Sequence, residues 1–369
     1  MFNLKPNYPI AINIGDHSIS AIQLKETGYG LGVREWFYQL FEDDFEDVLD
    51  NGVLVKILKD MIKNRKFAGR RAIVLVPTKN ITSFPIRFKV DEEESIESAI
   101  VRESVERVTI PMNEAAIDYT SVCRIGNDGS GDRYNAAVIS VKKELIKQYI
   151  IMLKQAGINV EVIDYGLLSL VRLHRYLYNA INDSVILCHI GYKESLLSII
   201  GNDSILAQRN IMWGIQPIIK KLEQNLGLTE DSKAAKTLLR KYGLIYENRQ
   251  NDKNTADTAS DIKMDSRIRP TYQVIVPYIN KLIHEFQKMI AFFRSEEHNT
   301  AIKNIYIYGQ GTIIHHLDQF IENSLNIKTE LINPLKKISY NDHSTLAEVF
   351  DEVPLTLALG MGMRKVKWL

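Results

Sequence analysis

The sequence predicts a duplicated α/β fold, two lobes with a cleft between them. Three observations point there. The chain has 369 residues, more than one ordinary core uses. Strand-like and helix-like patterns alternate along its whole length. A strand–turn–strand at 10–25, with Gly15 in its turn, returns at 184–201 with Gly191 in its turn, about 175 positions later.

The elements follow in order. Residues 10–25 alternate apolar and polar around Gly15–Asp16 and predict a β-hairpin, and 29–38 supply a third strand. From Asp47 to Asn64, apolar residues at Val53, Leu54, Ile57, Leu58, Met61 and Ile62 keep helical spacing. "RAIVLVP" (71–77) is a buried-type strand stopped by Pro77. An αβ unit comes next: strand 81–89, helix 91–108 with an acidic first turn, and strands 115–125 and 134–142 around the turn "GNDGSGDR". A helix then runs to Gly157, followed by the strand "INVEVIDYG".

After the second hairpin come a strand over 202–211 and a helix from near Gly214. Residues 246–269 carry few large apolar groups and predict an exposed insertion. A long amphipathic helix over 271–297 bears the stripe Ile279, Leu282, Ile283, Phe286, Met289, Ile290 and Phe293. "NIYIYGQG" (304–311) is a buried strand entering a glycine turn, and a short helix, the strand "KTELINP" and a closing helix over 353–366 complete the chain.

Composition narrows the function. A formal net charge of +1 gives no global field toward nucleic acid or anionic lipid. The N-terminus has no apolar core of signal-peptide length, and no stretch approaches a transmembrane span, so the expectation is a cytoplasmic protein that meets membranes through partners. Cys123 and Cys188 lack zinc or redox spacing and read as buried thiols in a reducing compartment. No GxSxG, Walker loop or HExxH occurs, and no basic stripe suggests nucleic acid.

The stretch "AINIGDHSISAIQL" poses the functional question. Its polar turn suits a phosphate, yet the strand ends at Asn13 where a phosphate–metal site wants a carboxylate. Together with "RAIVLVPTKNITSFPIRF", "AIVRESVERVTIPMNEAAIDY" (Glu103, Ile110, Pro111, Asp118, Tyr119), "AAVISVKKELIKQYIIMLKQAGINVEVID", "LCHIGYKESLLSII", "NIYIYGQGTIIHHL" and "PLTLALGMGMR", it resembles the PilM family of type IV pilus assembly. The resemblance is in order over nearly the whole chain. More distantly the chain is similar to FtsA and to the cytoplasmic part of type II secretion L proteins. It implies an actin/Hsp70-type ATPase fold: a first lobe at 1–182 holding an inserted strand–helix–strand–strand subdomain near 80–162, and a second lobe at 183–369 with a small helical subdomain near 215–300.

The resemblance also implies a nucleotide cleft, and this chain departs from it at each station. In the first hairpin, Asn13-Ile14-Gly15-Asp16-His17-Ser18 stands where the family has Asp-Ile-Gly and small hydroxyl residues, so Asn13 replaces the Asp and Gly15 is kept, and Ser20 replaces a Lys. In the second, His189 replaces an Asp, and Tyr192 and Lys193 follow Gly191. Beyond it, Trp213-Gly214 stands for Gly-Gly and Pro217 for a Thr; Lys236 and Leu239 stand for a Glu and Lys. The adenosine turn reads Gly309-Gln310-Gly311, followed by Ile314-His315 for a Pro-Gly. Both metal-side carboxylates are gone, and Asp16 adds a charge that repels phosphate. The expectation is a degenerate cleft with no catalytic residue and no metal site, in which weak binding of ATP with Mg²⁺ stays open through Lys193.

Other candidates have plainer readings. His315-His316 are neighbours on a helix and do not face a common metal. His189 reads as a hydrogen-bonded core histidine, Asp91–Glu94 as a solvated helix start, and "FNLKP" at 2–6 as a chance likeness to the tail of the family's membrane partner. Three functions remain. The first is a scaffold at the inner face of the cytoplasmic membrane, binding the cytoplasmic tail of a PilN-type protein, with the pilus motor ATPase as a further candidate partner. The second is an active actin-like ATPase whose nucleotide state switches partner binding. The third is a type II secretion component of L type.

Overall fold

The computed structural model describes residues 8–28, 30–41, 52–75, 77, 81–91, 93–127, 131–178, 183–201, 204–228, 232–245, 266–296, 301–340 and 355–364. The "FNLKP" segment, the start of the helix expected from Asp47, and the expected insertion up to residue 265 lie outside these residues.

The first sheet grows from β1 (Ile10–Ile14), whose Ile10, Ala11, Ile12 and Ile14 are fully buried, as suits a central strand. β2 (Ser18–Thr27) pairs antiparallel with it, and β3 (Gly30–Leu40) antiparallel with β2. β4 (Arg71–Leu75) lies parallel to β1, β8 (Asn159–Asp164) parallel to β4, and the two-residue β14 (Ser339–Tyr340) parallel to β3. Helices α1 (Val53–Asn64) and α3 (Lys143–Gln155) pack on each other, and α3 on β8.

The inserted unit is a separate antiparallel sheet, ordered β5 (Thr82–Lys89), β7 (Asp132–Lys142), β6 (Ala115–Asn127), with α2 (Ile96–Ser104) against it. Ile86, Phe88, Ala99, Ile100, Ala136 and Val138 form its core. The expected boundary at 162 is too long: β8 belongs to the first sheet because it pairs with β4. The expected helix start at Asp91 also moves. Ser95 is the N-cap, its Oγ accepting from Ser98 N at 3.1 Å, and Glu94 N donates to Asp91 O at 3.0 Å ahead of it. Glu94 takes both Arg102 Nε (3.0 Å) and Nη2 (2.9 Å), a fork that holds its carboxyl below the usual range.

Sequence reasoning passed over α4 (Gly166–Tyr178), which follows β8 directly. It carries the closing helix α9 (Thr356–Gly362). Arg172 on α4 donates to Gly360 O at 2.7 Å and pairs with buried Asp164 at 2.9 Å; Arg364 reaches the same carboxylate at 3.3 Å. A Cβ at Gly360 would lie 2.0 Å from Ser169 O, which explains a glycine inside this helix.

The second large sheet runs β11 (Ser204–Ile211), β10 (Ser195–Gly201), β9 (Ser184–Ile190), β12 (Ile302–Gly309), β13 (Lys328–Leu331). With it go α5 (Gln216–Leu226), α6 (Ser232–Lys241), α7 (Ile268–Ser295) and α8 (Leu317–Leu325): α5 packs on α6 and α7, and α8 on α7 and β13. The stripe expected on α7 is buried throughout, and the helix continues through Pro277.

The chain divides into two compact units. One holds Met1–Asn182, Ser198–Gln208 and Pro334–Leu369; the other holds Asp183–Leu197 and Arg209–Asn333. The expected division at 182/183 therefore differs in two places: Ser198–Gln208 joins the first unit, and so does the closing segment, because α9 packs on α4, β1, β2 and β4. In the first unit, Cys123 Sγ contacts Ser204 Oγ, and Gln208 Nε2 donates to Ser83 Oγ at 2.5 Å. Both cysteines are free thiols; Cys188 is buried, which pushes its pKa up, whereas Cys123 is half-buried, against the expectation for it.

Candidate functional site

The expected site residues assemble into two groups, one in each unit, described here in turn. In the first unit, β1 and β2 bring Asn13 opposite Ser20 and Ile14 opposite Ile19. The turn closes when Gly15 N donates to Ser18 O at 2.9 Å. A Cβ at Gly15 would lie 3.2 Å from that same oxygen, a tight but near-tolerable approach. His17 O accepts from Phe41 N at 2.9 Å, tying the turn to the end of β3. Asn13, Gly15, Asp16 and His17 are half-buried and Ser18 is buried. The carboxylate of this group is Asp16, in the turn, while the strand end carries the neutral amide of Asn13.

In the second unit the hairpin closes the same way, Gly191 N donating to Glu194 O at 3.0 Å. Here the turn is also a docking surface. Ile215 N donates to Gly191 O at 3.2 Å, and Gln216 N to Tyr192 O at 2.9 Å. Ser195 Oγ donates to Trp213 O at 2.6 Å. A Cβ at Gly214 would stand 2.2 Å from Tyr192 O, so only glycine lets the chain enter α5 this close to the turn. The first N–H groups of α5 are thereby spent on protein carbonyls, and Pro217 has none to offer, so this helix start is not a ready anion cradle.

The glycine turn after β12 abuts the same strand. Tyr308 pairs with His189 and Gly309 with Ile190 in a parallel ladder. Gly309 has φ +80°, and a Cβ there would lie 2.5 Å from Ile190 O and 2.8 Å from His189 Nε2. A Cβ at Gly311 would lie 2.5 Å from Ile190 Cδ1. Both glycines are thus demanded by the protein's own packing. His189 is half-buried by surface, and the loss of water around its ring pushes its pKa down to about 4. At neutral pH the position expected of a metal-side carboxylate holds an uncharged imidazole.

Lys236 sits on α6, and the end of that helix is stapled near the glycine turn: His315 N donates to Leu239 O at 3.1 Å and His315 O accepts from Leu244 N at 3.0 Å. Lys193, Lys236 and Gln310 are half-buried, and neither lysine is free of partners. The helical placement expected for the two adjacent histidines is corrected: they precede α8, His316 is its left-handed N-cap (φ 62°), and their rings approach to 3.9 Å. Burial and the neighbouring His316 hold the His315 pKa below its ordinary value. Among the described residues no cluster of three or more His, Cys, Asp or Glu could hold a metal. Sequence reasoning missed how Ile215 and Gln216 engage the hairpin; backbone bonds of that kind leave no side-chain signal.

Comparison with known proteins places the chain. The model of the type IV pilus assembly protein PilM family matches residues 11–366. A comparison with curated protein sequences returned no match. Among solved structures the chain is similar to the "PilM-PilN type IV pilus biogenesis complex", at 16% identity and TM-score 0.75, over 96% of this chain and 98% of that one. It is similar also to the ethanolamine utilization protein EutJ from Carboxydothermus hydrogenoformans, at 13% identity and TM-score 0.53, over 96% and 90%. The fold is that of the actin-like ATPases, and no described helix is long and apolar enough to cross a membrane. With 11–366 matched in a single run, the chain belongs to the PilM family of type IV pilus assembly proteins.

Proposed function

We propose that this protein is a cytoplasmic scaffold of a type IV pilus or related secretion platform, held at the inner face of the cytoplasmic membrane by the tail of a PilN-type protein. Family membership supports the setting, and the structural relative named as a PilM–PilN complex supports the partner. One observation carries the scaffold reading over turnover: both hairpins keep their glycine closure, but their strand ends carry Asn13 and a neutral His189 in place of carboxylates. Mg²⁺ prefers hard anionic oxygen, so neither end offers a metal anchor. A protein of this kind then serves as a partner-binding body whose assembly needs no hydrolysis.

Titration calorimetry of the full chain tests this with a PilN-type N-terminal peptide, with and without ATP and Mg²⁺. The expected result is peptide binding unchanged by nucleotide. Peptide affinity that moves tenfold with ATP, or phosphate release above that of a denatured control, would replace the scaffold with a nucleotide switch. Lys193 in the second hairpin turn is the feature that favours that second reading.

A further inference from the structure

Under a net charge of +1, two helices of the first unit carry lysines on their outer faces. On α1 the buried stripe is Leu54, Ile57, Leu58 and Met61, and the opposite face presents exposed Lys56, Lys59 and Lys63. On α3 the buried residues are Tyr149 and Leu153, and the opposite face presents exposed Lys143, Lys147 and Lys154. These two helices pack against each other in the first unit and each turns three lysines outward, Lys143 Nζ also donating to Asn113 O at 3.0 Å. Against them on the same faces stand Asp60 and Glu144, and Glu144 meets Lys147 only at 3.9 Å across exposed side chains, a contact worth little. The α3 lysines are flanked by apolar side chains left in water: Ile151 is 57% exposed and Ile150 40%.

We propose that the outer face of α1 and α3 rests on an anionic lipid surface, the lysines against headgroup phosphates and the two isoleucines at the acyl boundary. This inference rests on the membrane-proximal placement proposed above and adds a direct contact to the one made through a partner. Clustered lysines are attracted to the surface potential of anionic leaflets, and exposed isoleucines gain from an interface that is part apolar. A nucleic acid would use the same charge but would gain nothing from the isoleucines, and its recognition favours planar arginine forks and stacking aromatics.

Co-sedimentation of the full chain with vesicles tests the proposal, comparing pure phosphatidylcholine with phosphatidylcholine carrying one quarter phosphatidylglycerol. Binding is expected only to the anionic vesicles, and is expected to vanish as salt rises from about 0.05 M to about 0.5 M. Each lysine removed is expected to weaken binding about fivefold, so Lys147→Glu with Lys154→Glu weakens it more than about 25-fold. Ile151→Ser weakens it less, whereas Lys303→Glu, on the other unit, leaves it unchanged. Equal binding to both vesicles, no binding at low salt, or full binding by the double variant overturns the proposal. Tighter binding to a duplex DNA fragment than to anionic vesicles overturns it too. Peptide titration of the double variant separates this inference from the function above: vesicle binding can fail while peptide binding stands, and the reverse.

Discussion

At the first hairpin Gly15 N reaches Ser18 O at 2.9 Å, and at the second Gly191 N reaches Glu194 O at 3.0 Å. Around that shared bond the two regions diverge. The first turn is secured through His17 O and Phe41 N, and among the described residues a Cβ on its glycine would meet one close atom, Ser18 O at 3.2 Å. The second turn is enclosed: α5 begins on its carbonyls, Gly214 sits against Tyr192, and the Gly309 turn presses on His189 and Ile190. A hairpin that resembles a phosphate loop can thus be a polar turn tied to its own sheet or a structural hub. The glycines of the second group are accounted for by packing without any ligand.

That contrast can be broken at its strongest point first. Gly214→Ala puts a Cβ 2.2 Å from a backbone oxygen that cannot move without opening the start of α5. The expected loss is more than about 4 kcal/mol, read as a collapse of the urea midpoint or of soluble yield. A variant of near-wild-type stability would show that the second turn is not the hub described.

His189 gives the next largest effect. Its folded pKa of about 4 lies below the ordinary value of 6.5, so the unfolded chain binds the proton more readily between those values. The neutral ring's stabilising share is present above the unfolded value and is lost as pH falls toward 4, by up to about 3 kcal/mol. Urea melts at pH 7.5 and 4.5 are expected to differ by less in His189→Gln than in the wild type. An identical difference in both would place the acid sensitivity elsewhere. Asn13, at the equivalent strand end, has no proton to gain, and Asn13→Gln would leave the pH profile in place.

The smallest effect sharpens the comparison. Gly15→Ala meets Ser18 O at 3.2 Å with no positive φ to oppose it, and a shift of a few tenths of an ångström relieves it. A loss of about 1 kcal/mol or less is expected in the same melts. A loss comparable to that of Gly214→Ala would erase the distinction between the turns.

Much of the fold was legible because its causes are local. The alternation at 10–25, the two apolar runs around Gly191 at 184–201, the stripe of α7 and the strand–helix–strand–strand of the insert are each visible in neighbouring residues. Boundaries were read less well. α2 begins at Ile96 because Ser95 caps it, although Asp91–Glu94 look like a first turn. α4 was passed over because its apolar run adjoins the strand β8 without a separating turn cluster. Of the candidate site, the residue types at each station were readable in order. That His189 is uncharged, and that Gly309 and Gly311 face β9, was not.

The sequence by itself determined the elements, the hairpin glycines and the residue types at Asn13, Asp16 and His189, because these are read from neighbours along the chain. Tertiary structure decided what distant segments do to one another. It set β8 beside β4, gave the closing helix to the first unit through Asp164, Arg172 and Arg364, and spent the start of α5 on the second hairpin. It also packed together two helices that each turn three lysines outward, where no run of charge is visible in the sequence. The physical reason is common to all four: contacts, backbone bonds and summed charge depend on separation in space, which helical and strand periodicity does not encode.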